Sequence, residues 1–155
     1  MVTPAAPVAP VEVSARVLFV ARDRVLLANR RGKKWYYLPG GNVDPGETVE
    51  AAVRREIQEQ AGLNIDDLEF IGCAEHIYVD SSDGVRYHEV NVLFAADLPW
   101  AAQIGSRDLD VNIVSVALAD LRRLDLRPAS LRDVITGWLD SRKPSWHGDS
   151  PEDPA

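Results

Sequence analysis

Between Gly41 and Leu63 the chain reads GNVDPGETVEAAVRREIQEQAGL. Asp44-Pro45-Gly46 is a turn signal. Thr48 is the kind of residue that caps a helix N-terminus, and Glu50 falls in the first turn, where an acid suits the helix dipole. Val49, Val53 and Ile57 recur every four residues and predict the buried stripe of a helix running to about Ala61. Gly62 is placed to end it as a left-handed C-terminal glycine. Glu56, Glu59 and Gln60 are three and four apart, so they project together from a different side of that helix. Carboxylates gathered without interleaved lysines repel one another unless a hard cation sits among them. Magnesium has that character, since it takes oxygen ligands and keeps waters for phosphates. Acids at this spacing also occur on plain solvated helix faces, and the spacing by itself does not choose.

The loop before the helix tips the balance. Gly40, Gly41 and Gly46 allow close backbone approach, and Glu47 can pair with Arg55 two turns later. Read together, Gly41, five residues, Glu47, seven residues, then Arg55-Glu56-Ile57-Gln58-Glu59-Gln60-Ala61-Gly62-Leu63 resembles the Nudix box, matching eight of its nine specified positions. The lead-in Leu38-Pro39-Gly40-Gly41 is also similar to that family. The resemblance implies metal-assisted hydrolysis of a diphosphate linkage in a nucleoside-diphosphate derivative, a nucleotide or nucleotide sugar. It implies Mg²⁺ or Mn²⁺ as cofactor. By the same resemblance Glu56 and Glu59 are metal ligands or orient the attacking water, Glu47 and Arg55 support loop geometry, and the Gly40 carbonyl is a further ligand. Gln60 stands where the family has the second Glu of its pair. An amide offers one oxygen but no charge, so Gln60 implies weaker metal binding. The corresponding alternative is a Nudix-fold module that binds nucleotides but has lost turnover.

Downstream, Ser106-Arg107-Asp108 to Leu118 resembles more loosely a stretch of some family members. There Asp108 takes the place of a Glu that serves as base or ligand, while Asn112 and Ser115 replace a Glu and a Trp. Without that alignment Asp108 and Asp110 are ordinary loop acids.

Outside the box, Val11–Val20 and Val25–Ala28 predict a hairpin turning at Asp23-Arg24. Leu68–Val79 and Val85–Ala95 predict a second, with Asp80–Gly84 as its tip. Pro99–Arg107 reads as loop and Val111–Leu118 as a strand. Ala119–Leu124 predicts a short helix, and Ser130 caps a last helix to about Asp140. The order ββ, helix, ββ, β, helix implies an α+β fold, and the resemblance makes it the Nudix α/β/α sandwich, a mixed sheet between helices. The expected division is a disordered Pro/Ala/Val-rich lead over 1–10, one domain over 11–140 and a disordered tail over 141–155.

Arg30, Arg31, Lys33 and Lys34 form a basic cluster suited to phosphates, or equally a solvated loop. Trp35 and Tyr36 are candidate base-stacking rings, with Tyr37 assigned to the core beside Leu38. His88 is a candidate substrate contact, although a strand histidine is more often structural. The chain has 155 residues and 46% hydrophobic composition, enough for one core. Its net charge of −7 disfavours nucleic-acid backbones, and with them RNA 5′-end chemistry, without excluding a small phosphate ligand. The single cysteine, Cys73, allows no intrachain disulfide and reads as a small core residue. These features, with no apolar run of membrane-spanning length, predict a cytoplasmic protein off the membrane. The family resemblance adds a homodimer as an expectation.

Overall fold

The computed structural model describes residues 6–98 and 106–149. Nine strands and two α-helices follow in order: β1 (Glu12–Ala21), β2 (Arg24–Arg30), β3 (Trp35–Tyr36), β4 (Gly40–Asn42), α1 (Val49–Ala61), β5 (Glu69–Val79), β6 (Arg86–Asp97), β7 (Val111–Ala117), β8 (Asp125–Leu126), α2 (Leu131–Ser141) and β9 (Ser145–His147). A 3-10 helix over Leu118–Arg123 leads from β7 into β8. The main sheet has the order β7-β2-β1-β6-β5-β9, with β4 added to β1, while β3 and β8 form a separate pair. β1 and β6 run parallel and both long hairpins are antiparallel, so the sheet is mixed. No helix among the described residues is long and apolar enough to cross a membrane.

The alternation along β1 explains the layers. Successive strand side chains point to opposite faces. Ala15, Val17 and Phe19 therefore join Ala52, Val53 and Ile57 of α1 in one core. Leu18 joins Leu93, Val134, Ile135 and Trp138 in the other, beneath α2. The sandwich of helix, mixed sheet and helix is thus as the sequence implies. Ile57 is fully buried, and burying a side chain of this size stabilises by about 1.5–3 kcal/mol.

The α2-side face carries the clue to function. Leu18, Leu93 and Ala74 lie under the helix. Two and more residues further toward the open end, the same face presents Arg16 and Glu12 on β1, Asn91, Glu89 and Tyr87 on β6, and His76 and Tyr78 on β5. One sheet face is thus apolar where α2 covers it and polar where it does not.

Gly40–Asn42 forms a strand that pairs antiparallel with Ser14–Arg16. Within the expected tail, Ser145–His147 form β9, which adds in parallel to β5, and the Asp149 carboxylate accepts from the Ile77 N–H at 2.7 Å. Of the lead, Pro7 and Ala9 exchange backbone hydrogen bonds with Arg86. Most of the expected loop Pro99–Arg107 lies outside the described residues.

Candidate functional site

Helix α1 is fixed at both ends by the residues that the sequence singles out. Thr48 Oγ1 accepts from the Ala51 N–H at 3.1 Å, and Gly62 closes the helix in the left-handed region. Glu47 and Arg55 meet in a two-pronged pair, Nε to Oε2 at 2.8 Å and Nη2 to Oε1 at 3.0 Å. Glu47 also accepts from the Asp44 N–H, and Arg55 Nη2 donates to the Asn42 carbonyl at 3.2 Å. The guanidinium thereby ties the loop to the helix. Its hydrogen bonds hold the Glu47 carboxyl below the usual carboxylate range, and the same contacts raise Arg55.

Arg55 Nη1 then reaches both acids of the next turn, Glu56 Oε1 at 3.0 Å and Glu59 Oε2 at 3.5 Å. Glu56 is mostly sheltered and Glu59 largely exposed, with 18% and 59% of their side-chain surfaces accessible. The Glu56 carboxylate lies against Gly41, where a Cβ would stand 2.6 Å from Cδ. Gln60 is buried. Its Nε2 donates to the Gly40 carbonyl at 2.9 Å and to Glu56 Oε2 at 3.1 Å, while its Oε1 accepts from the Gly40 N–H at 3.4 Å.

Glu56, Gln60, Gly40 and Gly41 form one side of a cavity of about 580 Å³. The polar end of the sheet face forms another side. Arg30, Lys33, Trp35 and Asp108 reach the cavity as well. Asp108 Oδ1 accepts from the Asp110 N–H, and the adjoining Arg107 N–H donates to the Gln60 carbonyl, which ties this turn to the end of α1.

Glu47, Arg55 and Glu59 stand outside the cavity lining, and of the substrate-binding candidates Arg31, Tyr36 and His88 do not reach it either. Arg31 is exposed and lies beside it in sequence only. Tyr36 packs against the α2-side core, while Tyr37, assigned to the core, lines the cavity instead. His88 binds Glu75 through Nε2 at 2.7 Å on the sheet face opposite its neighbour Glu89. For Tyr36 and His88 the reason is that adjacent strand residues face opposite ways; Arg31 lies in the turn after β2.

Sequence reading missed Arg16, His76, Tyr78, Glu89, Asn91 and Arg127, all cavity-lining. Arg16 is held by Asn91 Oδ1 at 2.7 Å, the Leu38 carbonyl at 3.1 Å and the Tyr37 ring at 5.2 Å. Arg127 lies over the Trp35 ring at 5.3 Å. His76, Tyr78 and Tyr87 stack in a ladder, with centroids 4.5 and 5.5 Å apart. Burial pushes Tyr78 up to about 12 and lowers His76. The usable signal was period two in β1, with polar residues at 12, 14 and 16 between Val13, Ala15 and Val17.

Among the described residues no group of three or more His, Cys, Asp or Glu is placed to hold a metal ion. Glu56 and Glu59 nonetheless share one guanidinium nitrogen. Two carboxylates gathered on one guanidinium suit a hard cation that keeps most of its own waters.

The profile described as NUDIX domain matches residues 10–135. The chain belongs to the Nudix family. Against the oxidized purine nucleoside triphosphate hydrolase of Danio rerio it is 39% identical over 85 residues, covering 52% of this chain and 51% of that protein. Against the 8-oxo-dGDP phosphatase of Homo sapiens it is 40% identical over 68 residues, covering 37% of this chain and 21% of that protein. The matched stretches therefore span about half of one relative and about a fifth of the other. Among solved structures, the MutT protein of Bacillus halodurans superposes with a TM-score of 0.72 at 19% identity, covering 88% of each chain. The MutT Nudix hydrolase of Burkholderia pseudomallei gives 0.67 at 26% identity, covering 82% of this chain and 98% of that one. The Nudix fold is shared throughout, and the Nudix helix is α1.

Proposed function

We propose that this Nudix protein is a divalent-metal-dependent hydrolase that splits the diphosphate linkage of a small nucleoside-diphosphate derivative. The observation that carries the reading is the position of Glu56, pinned between Arg55 and Gly41 on the wall of a cavity that also presents Arg16, Arg30 and Lys33. The Glu56 carboxylate for a cation and guanidinium groups for phosphate thus face one space, with Glu59 beside it on Arg55. Glu56 and Glu59 would hold the ion, Mg²⁺ or Mn²⁺. When bound, such an ion neutralises diphosphate charge and lowers the pKa of a coordinated water.

The chain's own residues do the rest. Arg55 keeps both carboxylates in place and supports the loop through Glu47. Arg16, which is pre-positioned by three contacts, binds phosphate oxygens, and Arg30 and Lys33 add positive charge at the rim. Asp108 orients the attacking water. Trp35 and the Tyr78–Tyr87 ladder offer flat faces to a base, since stacking tolerates any base. Positioning and charge stabilisation supply most of the catalysis in phosphoryl transfer.

The test is phosphate release, coupled to added phosphatases, from a panel run with Mg²⁺ or Mn²⁺. Relatives named for oxidized purine nucleotides and for ADP-ribose direct the first choices. Turnover abolished by Glu56→Gln is the expected result. No turnover on the whole panel, together with retained nucleotide binding, would replace the enzyme with a binding module.

A further inference from the structure

The contacts of Gln60 pose a problem of donors and acceptors. The Gly40 carbonyl and Glu56 Oε2 are both acceptors, and both point at the same atom, Gln60 Nε2, from 2.9 and 3.1 Å. An amide nitrogen has two hydrogens, one for each. The other half of the carboxamide, Oε1, takes the Gly40 N–H at 3.4 Å. Turning the amide over would set its oxygen against two acceptors, so the network fixes the orientation. A glutamate in this place would offer acceptors only. With Gln60 just 6% exposed, those oxygens would face Gly40 and Glu56 with little water between them, and buried like charges of that kind need a cation or a proton.

We propose that the Gln60 carboxamide occupies the role of one cation: it closes the junction between the Gly40 loop and α1 by hydrogen bonds, so this chain takes one divalent ion fewer than the same chain with glutamate at position 60. The inference deepens the hydrolase reading and rests on it for the assignment of Glu56 and Glu59 to the remaining ion. It makes Gln60 a positioning residue, with the Gly40 carbonyl accepting from its amide.

The experiment counts Mn²⁺ bound per chain by electron paramagnetic resonance and measures Tm in EDTA and in Mn²⁺, for the full chain, Gln60→Glu and Gln60→Met. Substrate is absent throughout, so the count stands whether or not any panel compound is turned over; lack of turnover would overturn the hydrolase reading alone. The expected result is one additional Mn²⁺ in Gln60→Glu. That variant should melt about 5 °C lower than the parent in EDTA, the scale of a 1–2 kcal/mol loss in a chain of this size, and should recover in Mn²⁺. Gln60→Met should lose stability in both conditions and gain no ion. An equal ion count in the parent and Gln60→Glu would overturn the proposal, as would equal Tm values in EDTA. Should Gln60→Glu fail to fold even with Mn²⁺, Gln60→Met decides: parental stability in that variant would show that the amide bonds close nothing.

Discussion

Arg55 grips Glu47 through two parallel hydrogen bonds of 2.8 and 3.0 Å, while its remaining nitrogen faces Glu56. One guanidinium therefore sets both the loop before α1 and the acid on the cavity wall. The fork is what matters, because lysine carries the same charge as a point and cannot span both partners. Arg55→Lys should lower turnover by about 100-fold through misplacement of Glu56. Its stability cost should be about 1–3 kcal/mol, from sheltered partners left unmatched. A double-mutant cycle with Glu47→Gln should return a non-additive coupling. Additive losses would show that the pair holds nothing together.

His76 supplies a pH dependence. Its ring is largely buried, stacked on Tyr78, with Nδ1 3.4 Å from Asp149 Oδ2. Burial lowers its pKa below the ordinary 6.5, outweighing the nearby Glu89 and Asp149. The unfolded chain then binds the proton more readily than the folded one. The neutral ring's contribution is complete above about pH 6.5 and is lost as pH falls toward the lower folded value. Denaturant midpoints between pH 8 and 5 should decline below about 6.5, and His76→Phe, which keeps a ring to stack, should flatten that part of the decline. An unchanged slope in the variant would assign the effect to other groups.

The last described strand depends on one glycine. Gly72 has φ +137°, and a Cβ there would stand 2.1 Å from the Ser145 carbonyl oxygen. That contact is backbone and cannot swing aside. Gly72→Ala should therefore detach β9 from β5 while leaving α1 and its acids in place. Amide exchange over 145–149 should accelerate, and trypsin should cut after Arg142, with little change in metal binding. Protection of 145–149 as strong as in the parent would mean that β5 yields instead.

These contacts mark how far the sequence could be read. Helix α1, its Thr48 cap, its Gly62 stop and the Glu47–Arg55 pair were legible because each is local: the partners lie within one helix or its flanking loop. The short strands β3, β4, β8 and β9 were not, since two or three residues carry no periodicity and gain their pairing only from a distant strand. The cavity was half legible. Glu56, Gln60, Trp35, Arg30 and Asp108 stand near the box or its looser downstream counterpart. Arg16, Glu89 and Tyr78 come from three strands that meet only in the folded sheet. Tyr36 and His88 each sit one residue from a cavity-lining neighbour, the smallest step in sequence and the largest in a strand, where it reverses the face.

Gly40 and Gly41 stand side by side and should fail in different ways. At Gly40, φ is +141° and a Cβ would meet the Ala15 carbonyl oxygen at 2.1 Å and Arg16 Cα at 2.8 Å. Both obstacles are the backbone of a central strand, so Gly40→Ala must push β4 off β1. At Gly41 the backbone is ordinary and the Cβ would meet only the end of the Glu56 side chain, at 2.6–2.8 Å. A flexible side chain can move away, and the fold need not change. Gly40→Ala should cost more than about 2 kcal/mol, the sum of strain and lost pairing, and lower Tm by about 5 °C or more. Gly41→Ala should keep Tm within about 3 °C of the parent yet lose about 100-fold in turnover, because the displaced carboxylate is one of the two assigned to the ion. Full activity in Gly41→Ala would mean that the reaction does not depend on where Glu56 sits. That result would remove the observation on which the assignment of the site rests.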